Sequence, residues 1–182
     1  AFGTTGQRCT ATSRLILHRR IHDRFLAMVC DAADRLRLGS GLEIGTGVGP
    51  LISEAARDKV ERYVEIGKAE GASLETGGAA PRSARLSKGW FFRPTVFAGV
   101  KPGFRLEQEE IFGPVLSVIR VNDLAEAIRV NNDVRYGLSS SLYGRNLADG
   151  FRAIAALDNG ITYLNAPTIG AEAHLPFGGV KQ

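Results

Sequence analysis

Val115-Leu116-Ser117-Val118-Ile119-Arg120-Val121 is the clearest strand in the sequence, and it runs directly into a helical stretch from Asp123 to about Asn131. A nearly unbroken apolar run of that length suits a buried strand. The alternation continues downstream. Leu138 to Tyr143 alternates as a strand, Leu147 to Leu157 is helical, and Ile161 to Leu164 is a final strand. Upstream, Arg14-Leu15-Ile16-Leu17-His18 is a short apolar run bounded by polar residues. It precedes an amphipathic helix predicted over Ile21 to Leu36, with Ile21, Phe25, Val29, Ala32, Ala33 and Leu36 at helical spacing and charged residues opposite. Ser53 is a good N-cap for a helix through about Glu70, whose Val60, Tyr63, Val64 and Gly67 share a face. Ser73-Leu74-Glu75 is a short strand, Gly77 to Pro81 a turn, and the aromatic Trp90 to Phe97 a core strand or ordered loop. Glu107 to Gly113 reads as a polar turn. Strands alternating with helices predict an α/β fold, a three-layer αβα domain with a mostly parallel sheet. Active sites in such sheets gather at the carboxyl ends of the strands.

The 182 residues fit one domain, 1–182, with a sizeable core, and 44% apolar content is ordinary for a globular chain. No apolar run approaches the roughly eighteen residues of a membrane span, and no basic stretch followed by a hydrophobic one opens the chain. The expectation is a soluble, cytoplasmic protein. A net charge of +4, with Lys and Arg scattered among acids, argues against nucleic acid as a partner. His18 and His22 stand four apart but straddle a strand-to-helix junction, so no metal site is expected. Gly45-Thr46-Gly47-Val48-Gly49 lacks the spacing and preceding strand of a dinucleotide fingerprint and reads as a connecting loop. Cys30 sits inside the first helical pattern and reads as a packed residue, which leaves no disulfide. Ala1-Phe2-Gly3 begins in mid-motif and Lys181-Gln182 stops as abruptly, as in a piece of a longer chain.

Three constellations carry candidate chemistry. Cys9, in Phe2-Gly3-Thr4-Thr5-Gly6-Gln7-Arg8-Cys9-Thr10, has glycines that allow close backbone approach and small polar neighbours that leave its sulfur open. Such a setting presents a nucleophile, although a lone thiol also serves simply to pack. In Glu109-Glu110-Ile111-Phe112-Gly113-Pro114 a carboxylate beside an aromatic ring could hold a ribose. The same residues also read as two solvated acids on a turn with Phe112 in the core. The third stretch is the loop from Asn165 through Pro167, Thr168, Ile169 and His174 to Pro176-Phe177-Gly178-Gly179. Its His174 has three readings: a base, a pocket wall, or a structural histidine.

In order and rough spacing these three motifs resemble those of aldehyde dehydrogenases, over essentially the whole chain but well under half of a typical member. The resemblance implies the catalytic domain of an NAD- or NADP-dependent enzyme that oxidises an aldehyde to a carboxylate. It assigns the nucleophile to Cys9, whose backbone amide forms half of an oxyanion hole, and cofactor contact to Glu110 and Phe112. Thr168, Ile169, His174 and Phe177 are then candidates for the aldehyde pocket. The family's water-activating glutamate and main dinucleotide-binding unit are expected upstream of residue 1, so that the isolated chain should turn over poorly. The wording around Cys9 and at Asn165-Ala166-Pro167-Thr168 looks most like members acting on semialdehydes, such as 2-oxoglutarate semialdehyde. Relatives are dimers or tetramers, which implies a homo-oligomer. Two alternatives stay open: acyl transfer to coenzyme A, and a non-catalytic self-associating module.

Overall fold

In the computed structural model, which describes residues 1–170 and 174–181, the stretch from Val115 to Val121 is a strand buried at every position but Arg120. The chain divides into two compact units, residues 1–120 and 121–182.

The first unit contains β1 (Arg14–His18), α1 (His22–Asp34), α2 (Glu54–Ala69), β2 (Ser73–Thr76), β3 (Thr95–Ala98), a one-turn α3 (Arg105–Gln108) and β4 (Val115–Val121). The strands form one sheet in the order β1-β4-β3-β2. β3 and β4 are parallel, with Val96 opposite Leu116, whereas β2 runs antiparallel at the edge. Alternation along the strands sends side chains to two faces, and each face meets a helix. On one, Leu17, Val96, Leu116 and Val118 pack with Ala33 of α1, and Leu26, Val29 and Cys30 close over them. On the other, Phe97 meets α2 at Gly67. A Cβ at Gly67 would lie 3.2 Å from the Phe97 ring and 2.9 Å from Leu106. The expected αβα layering is thus present, with α1 and α2 as its outer layers.

Local signals explain most element boundaries. The Ser53 hydroxyl accepts the Ala56 N–H at 3.2 Å and caps α2. α1 is shorter than its apolar pattern, because Arg35 and Leu36 close a tight turn onto Asp31 and Ala33. The aromatic stretch divides: Phe91 and Phe92 are buried outside any helix or strand, and the strand begins only at Thr95. The expected polar turn over Glu107 to Gly113 is corrected. Its first residues belong to α3, and Glu107 is 5% exposed.

The second unit contains α4 (Leu124–Asn132), β5 (Ser139–Leu142), α5 (Leu147–Ala156) and β6 (Ile161–Leu164). β5 and β6 pair in parallel, Ser139 opposite Ile161. Asp123 caps α4 by accepting the Glu126 N–H at 2.8 Å. No helix among the described residues is long and apolar enough to cross a membrane.

Candidate functional site

Cys9 is presented by a backbone that three consecutive left-handed residues bend: Thr4 (φ 53°), Thr5 (φ 59°) and Gly6 (φ 67°). For threonine that conformation costs on the order of 1 kcal/mol or more, and it persists only where surrounding bonds over-determine it. Those bonds are present. The Thr5 hydroxyl donates to the Gly49 carbonyl at 3.0 Å, and the Gln7 side chain accepts the Ile52 N–H at 2.8 Å. The Ala11 N–H then returns to the Arg8 carbonyl at 2.9 Å, leaving Cys9 exposed on the turn while Thr10 is buried behind it.

A second loop lies against this one. Gly6 and Gly113 touch back to back: a Cβ on Gly6 would sit 2.1 Å from the Gly113 carbonyl oxygen. Gly113 is itself pressed by Val60 of α2, whose Cγ2 would be 2.3 Å from an added Cβ. Only glycine at both positions permits that approach. As a result Cys9, Arg8, Thr12 and Ser13 from the first loop and Glu110, Ile111 and Phe112 from the second line one cleft of about 50 Å³. Phe112 has a left-handed backbone (φ 58°), and its ring is 42% exposed instead of lying in the core. It also walls a wider groove of about 680 Å³ with Gln7, Ile52, Lys88 and Trp90. The cleft admits a few atoms at most; the groove is in the range of ordinary ligand sites.

The two adjacent glutamates, equivalent in sequence, have separate fates. Arg105 grips Glu109 through Nε (2.9 Å) and Nη2 (3.0 Å), and the Tyr63 hydroxyl donates to the same carboxylate at 2.5 Å. Burial and the Glu109 carboxylate push the Tyr63 phenol above its ordinary value. Glu110 is exposed, and among the described residues its carboxylate has no ion-pair partner. Lys59 Nζ fixes its backbone instead, donating to the Glu110 carbonyl at 2.7 Å. The solvated-turn reading therefore fails for Glu109 and Phe112 alike.

Cys30 contrasts with Cys9. It is half-buried against the core, and burial, with Glu75 and Asp34 nearby, pushes its thiol up. Both cysteines are free. His18 Nδ1 accepts the Arg20 N–H, and His22 Nδ1 lies 2.7 Å from Asp23.

The remaining candidates belong to the second unit. Asn165, also left-handed (φ 53°), exchanges hydrogen bonds with Gly144 at 2.9 and 3.0 Å, and the Ser141 hydroxyl donates to the Ala166 carbonyl at 2.6 Å. That anchorage fixes where the loop leaves β6. Thr168 is half-buried on it, and Ile169, His174 and Phe177 are exposed. Ala171-Glu172-Ala173 of this loop lies outside the described residues.

A family model described as "Aldehyde dehydrogenase family" matches residues 1–182. The chain belongs to the aldehyde dehydrogenase family. Among curated members, it is 42% identical over 181 residues to an alpha-ketoglutarate semialdehyde dehydrogenase of Haloferax volcanii. It is 43% identical over 183 residues to a betaine aldehyde dehydrogenase of Bacillus subtilis. Each alignment covers 100% of this chain and 37% of the relative, so the chain spans well under half the length of these aldehyde dehydrogenases. Its fold superposes on the crystal structure of betaine aldehyde dehydrogenase from Staphylococcus aureus in complex with NAD+. The TM-score is 0.95 at 36% identity, covering 97% of this chain and 35% of that one.

Sequence reasoning missed the polar residues that tie the two segments, Arg14, Glu107 and Ser117, and Lys59 and Arg105, which hold the second one. Except for Arg105, which pairs with Glu109 four residues on, each has a partner far along the chain, so no local pattern distinguishes it from a solvated residue.

Proposed function

We propose that this chain carries the catalytic portion of an NAD- or NADP-dependent aldehyde dehydrogenase, with Cys9 as nucleophile and a semialdehyde such as 2-oxoglutarate semialdehyde as substrate. The observation that carries this reading is the shared cleft: the exposed Cys9 sulfur, the unpaired Glu110 carboxylate and the exposed Phe112 ring all line it. Family membership and the semialdehyde-oxidising relative support the substrate class.

The residues present suit the ribose end of a dinucleotide. Glu110, left without a cationic partner while Arg105 takes Glu109, can accept two sugar hydroxyls, and Phe112 offers an apolar face to a ring. The Cys9 thiolate attacks the carbonyl carbon, a C–S bond forms, and the oxygen gains the electron pair and negative charge. The Cys9 backbone N–H donates to that oxygen. Bound NAD(P)+ accepts the hydride that departs from the same carbon. A thioester on Cys9 remains; water adds to it and gives its two protons to solvent, the C–S bond breaks, and the carboxylate leaves with the thiolate restored. Thr168, Ile169, His174 and Phe177 line the aldehyde pocket in this reading. It also makes the full gene product a dimer or tetramer, which light scattering tests.

The test is NAD(P)H formation by absorbance in the full gene product, against a panel of aldehydes and semialdehydes. Aldehyde-dependent NAD(P)H that vanishes in Cys9→Ala and persists in Cys30→Ala supports the proposal. Turnover that survives Cys9→Ala, or that requires coenzyme A, contradicts it.

A further inference from the structure

The cleft is assembled from loops that lead into different strands, Gly6 to Ser13 before β1 and Glu109 to Pro114 before β4. A glycine contact sets how closely they approach, but a contact between flat backbones does not stop one loop from sliding along the other. Directional bonds do. Arg14, five residues after Cys9, reaches Glu107, three residues before Glu110, with Nη1 3.3 Å from Oε2. The Glu107 side chain is 1% exposed and that of Arg14 15%. Oε1 of the same carboxylate accepts the Gly103 N–H at 2.9 Å and a bond from Gln108. Ser117, buried in β4, ties the same two segments. Its N–H donates to the Ser13 carbonyl at 2.9 Å and its hydroxyl to the Leu106 carbonyl at 3.1 Å.

Taking a carboxylate and a guanidinium out of water costs several kcal/mol, and apolar residues of the same size commonly fill such space at no loss of stability. A buried pair of this kind is poor evidence for stability. What it adds is direction, because each bond holds at one distance and angle.

We propose that Glu107 is a positioning residue: through Arg14 it holds the segment carrying Cys9 in register with the Glu110–Phe112 loop, so that the sulfur and the cofactor-binding groups meet one substrate. This rests on the roles of Cys9 and Glu110 given above. Glu107 touches neither substrate nor cofactor. Loss of its charge shifts one loop along the other and separates thiol chemistry from hydride transfer.

Two reactions of the full gene product distinguish register from simple support. Aldehyde oxidation needs Cys9 and the cofactor aligned. Hydrolysis of p-nitrophenyl acetate needs Cys9 alone: the thiolate displaces p-nitrophenolate, and water then cleaves the acetyl thioester. With rates expressed per Cys9 titrated by iodoacetamide, Glu107→Gln should raise KM for NAD(P)+ and lower kcat for oxidation, each about tenfold or more, while ester hydrolysis stays within about threefold. Glu107→Asp, which keeps the charge, should recover most of the oxidation rate. Arg14→Lys should show the same split as Glu107→Gln, and it serves as the test should Glu107→Gln fail to fold. Parallel loss of both reactions, or retention of both, overturns the positioning role. If Cys9→Ala keeps both reactions, the reading of the site itself fails, whatever the Glu107 variants do.

Discussion

Gly6→Ala tests the back-to-back packing of the two loops. An added Cβ would lie 2.1 Å from the Gly113 carbonyl oxygen and 2.5 Å from its carbon, where real contacts do not fall below 3.0 Å. The loops must therefore separate by about 0.9 Å. Neither partner can turn aside, because both are backbone and Gly113 is pressed from behind by Val60. The left-handed conformation of residue 6 costs alanine about 1 to 2 kcal/mol. Forced overpacking costs about 1 to 3 kcal/mol, so the two effects together predict about 2 to 5 kcal/mol of lost stability. A shift of that size three residues from Cys9 should also slow oxidation by about a hundredfold. Urea denaturation followed by circular dichroism measures the first effect and NAD(P)H formation the second. Gly3→Ala is the matched control, since nothing lies within 4 Å of its added Cβ. Gly6→Ala within about 0.5 kcal/mol of the parent, the range of an ordinary surface substitution, would refute the packing argument.

Glu110→Gln should raise KM for NAD(P)+ at least about tenfold through loss of charged hydrogen bonds, whereas Glu109→Gln, which disturbs the Arg105 and Tyr63 pairings, should leave it within about threefold. Steady-state kinetics decides, and equal effects would mean that the two acids are not divided as described. Brief iodoacetamide treatment of the folded protein should label Cys9 ahead of Cys30, whose thiol is held protonated by burial and by Glu75 and Asp34; equal labelling in a peptide map would count against that difference. Tyr63, its phenol pushed above 10.0 by burial and Glu109, binds its proton more tightly folded than unfolded. Its contribution to stability is complete below pH 10.0 and lost as pH rises through the folded value, so urea midpoints above pH 10.0 should fall less steeply in Tyr63→Phe than in the parent.

β4 was legible because an uninterrupted apolar run leaves few alternatives, and α2 because Ser53 and the Val60–Val64–Gly67 face mark both its start and its buried side. Cys9 stood out as a candidate through the residues around it. The division between Glu109 and Glu110 came only with the family resemblance: the residues alone read as two solvated acids, and Tyr63, which helps to select Glu109, lies 46 residues away. Glu107 looked like part of a solvated turn because the cation that allows its burial is 93 residues distant. α1 ended early for a local reason that periodicity does not register, the tight turn at Arg35 and Leu36. Apolar patterning thus locates elements and motifs single out candidate site residues, while buried polar pairings between distant segments arise only when the chain has folded.

The most direct test of the account is to trap the acyl group. The full gene product is mixed with a semialdehyde and NAD(P)+, quenched in acid during turnover, digested with trypsin and examined by mass spectrometry. Cleavage after Arg8 and Arg14 isolates Cys9-Thr10-Ala11-Thr12-Ser13-Arg14. That peptide should carry the substrate's acyl mass, and only when NAD(P)+ was present. NAD(P)H formation with this peptide unmodified and the acyl group on another residue, such as Cys30, would contradict the assignment of Cys9.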